Sequence, residues 1–194
     1  TIACTPHIMP GVYDNSASAI NRVLERLRHA IRRAGLPLDL VSGADVHISF
    51  DLVSRIRSGS VPTINGTRYF LLEPSEKILP PRFEEFVFSI SAAGYVPILT
   101  HPERLKWIES RYDLIERLWQ NGVLMQLTAG SLTGRFGRRP RYWAERMLDE
   151  GRVHLLASDA HDTRRRPPLL AEARDAVARR LGNNEAERLV EKNP

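Results

Sequence analysis

His7, Asp45, Glu73, His101, Asp159 and His161 each fall at or just beyond the end of a short apolar run. Imidazole and carboxylate are metal-binding groups, and a mixed set suits Mn²⁺, Fe²⁺ or Zn²⁺ better than Ca²⁺ or a site for Mg²⁺ alone. A carboxylate in such a set can bridge two ions. Asp159-Ala160-His161 places an acid and an imidazole two residues apart, which in an extended segment aims both side chains to one side, where they can share an ion. Taken alone the triplet reads rather as a surface turn with Asp159 capping the next segment. His101 opens His101-Pro102-Glu103-Arg104 after the run Val96 to Leu99. A single histidine there reads as a hydrogen-bonded structural residue, but several separate strands that each deliver a ligand-type group point to one rim. His29, His47 and His154 are read as structural. Among the many arginines, Arg104 and Arg166 follow these segments within a few residues. A planar guanidinium holds two phosphate oxygens at once and offsets charge in phosphoryl transfer, which directs both toward a substrate.

The elements that must position these groups alternate. Ile2-Ala3-Cys4 reads as the tail of a strand ended by Thr5-Pro6-His7. A cap at Asn15 or Ser16 starts an amphipathic helix with apolar residues at Ile20, Val23, Leu24, Leu27, Ala30 and Ile31, stopped by Gly35. A strand from Leu38 to Val41 precedes Gly43-Ala44-Asp45. Phe50 to Arg57 is a short helix, and the Asn65-Gly66 turn feeds a buried strand from Tyr69 to an acid at Glu73. Helices are predicted over 83–93, 112–120, about 143–148, 169–181 and 184–191, and strands over 95–100, 123–127 and 153–157, with a glycine-containing stretch over 128–137. Alternation of this kind implies parallel βα units, in a barrel or a doubly wound sheet, and chemistry at the C-terminal strand ends.

Composition narrows the class. The 194 residues, 42% hydrophobic and 26% charged, suffice for a core and predict one domain over 1–194. No run is apolar and long enough to span a membrane and no secretory signal is present, so a cytoplasmic location is expected. The one cysteine, Cys4, cannot form an internal disulfide. A net charge of +5 raises the question of nucleic acid. Spread of the arginines over several helices, without aromatic interleaving, argues against it.

Thr5-Pro6-His7, Gly43-Ala44-Asp45, Leu72-Glu73, His101-Pro102-Glu103-Arg104, Thr128-Ala129-Gly130-Ser131-Leu132-Thr133-Gly134, Ala157-Ser158-Asp159-Ala160-His161 and Arg166-Pro167-Pro168 occur in the order and approximate spacing of a known family. The chain resembles the bacterial PHP (polymerase and histidinol phosphatase) tyrosine phosphatases over nearly its whole length. The resemblance implies an α/β fold, a distorted (β/α)₇ TIM-like PHP barrel. It implies up to three divalent ions, manganese first, with iron, zinc, magnesium or cobalt as alternatives. It further implies hydrolysis of phosphotyrosine on a tyrosine autokinase that governs capsule or exopolysaccharide synthesis, by a metal-activated hydroxide and without a phosphoenzyme. The matching metal ligands are His7, Asp45, Glu73, His101, Asp159 and His161, and the matching phosphate-binding residues are Arg104 and Arg166. A cysteine-based phosphatase loop requires an arginine six residues after the cysteine, and that position is Pro10.

Two departures accompany the match. The family's first strand supplies a His-x-His pair, and nothing before Thr1 provides it, so the sequence is expected to begin past that strand and its helix. Asp45 stands where the family usually has glutamate, and its shorter reach would shift a bridging position. Two other functions follow from the same residues. One is a phosphatase for a small ester of the histidinol phosphate type; the other is a degenerate regulator that binds a kinase without hydrolysis.

Overall fold

The computed structural model describes residues 1–194. They form two compact units, residues 1–75 with 80–98, and residues 76–79 with 99–194. Both are built from parallel strands and helices, as the alternating pattern predicts.

The first unit opens with β1 (Ile2–Cys4) and β2 (His7–Ile8), followed by α1 (Ala17–Arg33), β3 (Leu40–Ser42) and β4 (Asp45–His47). Next come α2 (Leu52–Arg57), a 3₁₀ turn at Ile64–Gly66, β5 (Tyr69–Glu73) and α3 (Phe83–Ala92). β1 pairs in parallel with β3, and β2, β4 and β5 pair in parallel in that order. Helix α1 starts where Ser16 accepts a hydrogen bond from Ala19 N–H through its side chain. It stops at Gly35, whose φ of 63° lets Leu36 N–H reach back to Ile31 C=O. Ile20, Leu24 and Ile31 are buried, and Leu24 and Ile31 meet Leu40, Cys4 and Leu38. Each such aliphatic side chain contributes about 1.5–3 kcal/mol by leaving water. Val23 and Leu27, part of the same predicted stripe, face outward instead.

Two strand assignments differ from the sequence reading. His7 and Asp45 were expected beyond strand ends, yet each begins a strand of its own. The chain shifts sideways at Thr5-Pro6 and again at Gly43-Ala44, with Gly43 N–H bonded to Cys4 C=O and Asp45 N–H to Pro6 C=O. Proline supplies no donor at the first shift, so the ladder breaks there and resumes with new partners.

The second unit takes in the end of β6 (Val96–Thr100), a 3₁₀ turn at Pro102–Arg104, α4 (Tyr112–Gln120), β7 (Leu124–Thr128) and α5 (Ala129–Leu132). It continues with α6 (Arg138–Asp149), β8 (Leu155–Ala157), α7 (Ala171–Leu181), α8 (Asn183–Glu187) and a π-type turn at Arg188–Lys192. β7 and β8 are parallel. The glycine-containing stretch after β7 holds the single-turn helix α5. A core of Leu114, Ile115, Leu118, Met125, Leu127, Trp143, Met147 and Leu156 lies under these elements.

His154 has the structural role expected of it. Its Nδ1 accepts Met125 N–H at 3.0 Å, and burial together with Arg188 holds its pKa below the usual imidazole value. Because the folded pKa is depressed, this contribution to stability is present above the unfolded value of about 6.5 and is lost as pH falls toward the folded value. Replacing His154 with leucine is expected to cost about 1–3 kcal/mol at pH 8 and to flatten the acid limb between pH 7 and 5. Urea titrations at several pH values measure both effects, and an unchanged acid limb would remove His154 from the linkage.

Candidate active site

In the first unit, strand register assembles one cluster. His7 lies directly opposite Asp45 across β2 and β4, and Glu73 is opposite His47 at the end of β5. Asp45 and His47 share a face of β4, while Val46 enters the core on the other. His7 Nδ1 is 2.9 Å from Glu73 Oε2 and 3.8 Å from Asp45 Oδ2. One potential ligand atom from each of the three residues lies within 4.8 Å of the others. Donors sharing a first-row ion at about 2.0–2.2 Å stand about 3–4.4 Å apart, so this set fits a divalent ion with small adjustments. A loop not flagged from the sequence fixes the imidazole. Met9 and Tyr13 exchange backbone hydrogen bonds, the Tyr13 ring stacks on His7 at 5.5 Å, and Asn15 Nδ2 donates to His7 C=O at 2.8 Å.

In the second unit, two predicted site residues have left-handed backbones, His101 with φ of 37° and Asp159 with φ of 50°. For a residue with a side chain this costs about 1–3 kcal/mol and persists where surrounding bonds over-determine it. His101 N–H bonds to Gln126 C=O, which extends β6 by one residue before Pro102 starts the 3₁₀ turn. The His101 side chain is buried. Asp159 corrects an expectation. The segment 159–161 is not extended, and its acid and imidazole meet through the turn, with His161 Nδ1 at 3.0 Å from Asp159 C=O and 3.6 Å from its Oδ1.

Arg104 Nη1 donates to Asp159 Oδ2 at 3.1 Å, and Arg166 Nη2 donates to the same oxygen. Arg166 Nη1 also lies 3.2 Å from His161 Nε2, and Thr128 Oγ1 donates to Asp159 Oδ2 at 3.5 Å. Both guanidinium carbons lie near the Phe136 ring, at 4.9 Å for Arg104 and 5.7 Å for Arg166. Thus Arg104, Asp159, His161 and Arg166 form one group, and His7, Asp45 and Glu73 form another within the first unit.

Positioning residues were the part that sequence reasoning passed over. Glu103 is fully buried, and its Oε1 accepts Thr128 N–H at 3.0 Å and Ser131 Oγ–H at 2.7 Å. Burial pushes its carboxyl pKa up against the pull of His101 and these donors. It therefore ties the turn that carries Arg104 to the end of β7 and the start of α5. Asp162 does the same for Arg166. Its Oδ1 accepts N–H from Arg164, Arg165 and Arg166, which holds the carboxyl below its usual range, and His161 N–H closes the loop on Arg166 C=O. The Asp-Thr-Arg-Arg run carries a readable Asx-turn signal. For Glu103 the one sequence clue was its place inside a recognisable motif.

Comparison with known proteins follows the same outline. The chain is 28% identical over 183 residues to tyrosine-protein phosphatase YwqE of Bacillus subtilis, which covers 94% of this chain and 72% of that protein. It is 27% identical over 203 residues to tyrosine-protein phosphatase CpsB of Streptococcus pneumoniae, covering 100% and 82%. Among solved structures, one from a study of YwqE and CpsB, described as metal-dependent tyrosine phosphatases, superposes with a TM-score of 0.89 at 27% identity, over 94% of this chain and 74% of the other. The model of the family described as capsular polysaccharide synthesis, CpsB/CapC, matches residues 1–194, and the chain belongs to that family.

Proposed function

We propose that this protein is a metal-dependent phosphatase that hydrolyses phosphotyrosine on a protein, with a tyrosine autokinase of capsule or exopolysaccharide synthesis as its substrate. The observation that carries the reading is the His7, Asp45 and Glu73 cluster, whose donor atoms lie close enough for one ion. The tyrosine phosphatase names of its relatives support the choice of substrate. In the same reading His101, Asp159 and His161 are further metal ligands, manganese is the preferred ion, and residues 1–194 are one PHP domain of the distorted (β/α)₇ type. No helix is long and apolar enough to cross a membrane. A cytoplasmic location belongs to the proposal, because tyrosine phosphorylation draws on ATP.

Divalent ions bound at such a site polarise a phosphoryl oxygen and lower the pKa of water. Arg104 and Arg166 have the complementary task. Their planar donor edges bind phosphoryl oxygens in the ground state and hold them more strongly as charge builds in the transition state. Asp159 keeps both guanidiniums at one point before substrate arrives. A thiol mechanism finds no support in this chain. Cys4 sits in β1 among core side chains, and burial pushes its pKa up, away from the thiolate form that a nucleophile requires.

The test is removal and return of metal. Chelation is expected to abolish hydrolysis of a phosphotyrosine peptide, and Mn²⁺ to restore it. Turnover that resists chelation would overturn the metal mechanism. Faster cleavage of histidinol phosphate than of the peptide would move the assignment to small esters.

A further inference from the structure

We infer that Phe136 is a positioning residue that joins Arg104 and Arg166 into one phosphate clamp, and that Gly130 lacks a side chain so that the ring can lie against it. The inference rests on the phosphatase reading of these two arginines and deepens it.

Past α5 the chain doubles back, with Arg135 N–H bonded to Gly130 C=O and Gly137 N–H to Gly134 C=O. That turn returns residue 136 over residue 130. A Cβ on Gly130 would stand 2.7 Å from Phe136 Cε2 and 3.3 and 3.4 Å from two other ring carbons, so the ring is packed against bare backbone. The same ring has Arg104 Cζ at 4.9 Å and Arg166 Cζ at 5.7 Å from its centroid, both within reach of cation–π attraction. Two arginine side chains from separate segments and the bare backbone of Gly130 therefore meet at one aromatic residue.

Two guanidiniums brought together repel each other, and the one shared carboxylate, Asp159, carries a single negative charge. A second carboxylate would relieve the repulsion but would occupy the N–H donors that phosphate needs. An aromatic face attracts each cation through its π-electrons and leaves the donor edges available. An aliphatic side chain of similar bulk fills the space without that attraction. Phe136 thus holds the two arginines as a pair while leaving their hydrogen-bonding capacity for a dianion.

The experiment measures inorganic phosphate binding to the metal-loaded full chain by calorimetry, alongside kcat and KM on a phosphotyrosine peptide. Inorganic phosphate has no ring, so any loss cannot come from stacking on the substrate. Phe136→Leu is expected to weaken phosphate binding about tenfold and to lower kcat/KM by a similar factor, whereas Phe136→Tyr stays within about twofold of the unaltered protein. Gly130→Ala displaces the ring without deleting it and should reproduce the leucine defect. Alanine favours a helix more than glycine does, so this variant also serves if Phe136→Leu melts early. Phosphate affinity unchanged in Phe136→Leu or Gly130→Ala, or lost equally in the leucine and tyrosine variants, would overturn the clamp. So would absence of phosphate binding by the unaltered protein. An unaltered protein that binds phosphate but hydrolyses nothing would instead sink the phosphatase reading, and the variant comparison would still decide the clamp.

Discussion

Asp45→Asn is expected to lower phosphotyrosine hydrolysis about a thousandfold, equivalent to about 4 kcal/mol of transition-state stabilisation. The substitution keeps the size and shape of a side chain that is only 6% exposed, so the β2–β4–β5 register should persist. What it removes is one of the two negative charges beside His7 that make the cluster attractive to a divalent ion. An amide oxygen is a poorer ligand for a first-row metal than a carboxylate, and its NH₂ group cannot bind one. Glu73→Gln should act in the same direction, through the carboxylate nearest the imidazole. Metal content and kcat at saturating Mn²⁺ are the measurements. A full metal complement with normal turnover in Asp45→Asn would exclude this cluster from the active site.

Arg166→Ala and Arg104→Ala should each lower kcat/KM about a hundredfold, the scale seen when one preorganised donor to a developing charge is removed. The two side chains share Asp159 Oδ2 and the Phe136 ring, so the double variant should lose less than the product of the single losses. Lysine at either position should recover little, because an ammonium cannot reproduce a planar two-point contact. Steady-state kinetics of the two single variants and the double variant give the coupling. Strict additivity would show that the arginines act at independent places, and normal kinetics in both single variants would remove them from catalysis.

Much of the architecture could be read from local pattern. Tyr112 to Gln120 and Tyr69 to Glu73 were predicted to the residue, because each joins a clear apolar period to a readable boundary. Ser16 and Gly35 bracket α1 for reasons that lie within one helical turn. The strands beginning at His7 and Asp45 were misread, because two- and three-residue strands carry no period and exist only through their ladder partners. The left-handed backbone of Asp159 was missed for a related reason. It is held by the loop that Asp162 organises rather than by any preference of Asp159 alone.

The sequence by itself determined which chemistry was on offer. Histidines, carboxylates and two arginines specify ligand types, and the apolar runs before Glu73 and His101 specify strand ends, because both follow from residue type and short-range periodicity. Only the tertiary structure decided which of these groups meet. Parallel register placed His7 against Asp45, and a buried Glu103 carboxyl and a bare Gly130 settled where Arg104 and the Phe136 ring lie. Apart from the local packing of Phe136 on Gly130, those outcomes depend on contacts between residues tens of positions apart, whose energies arise only after the backbone has closed the loops between them.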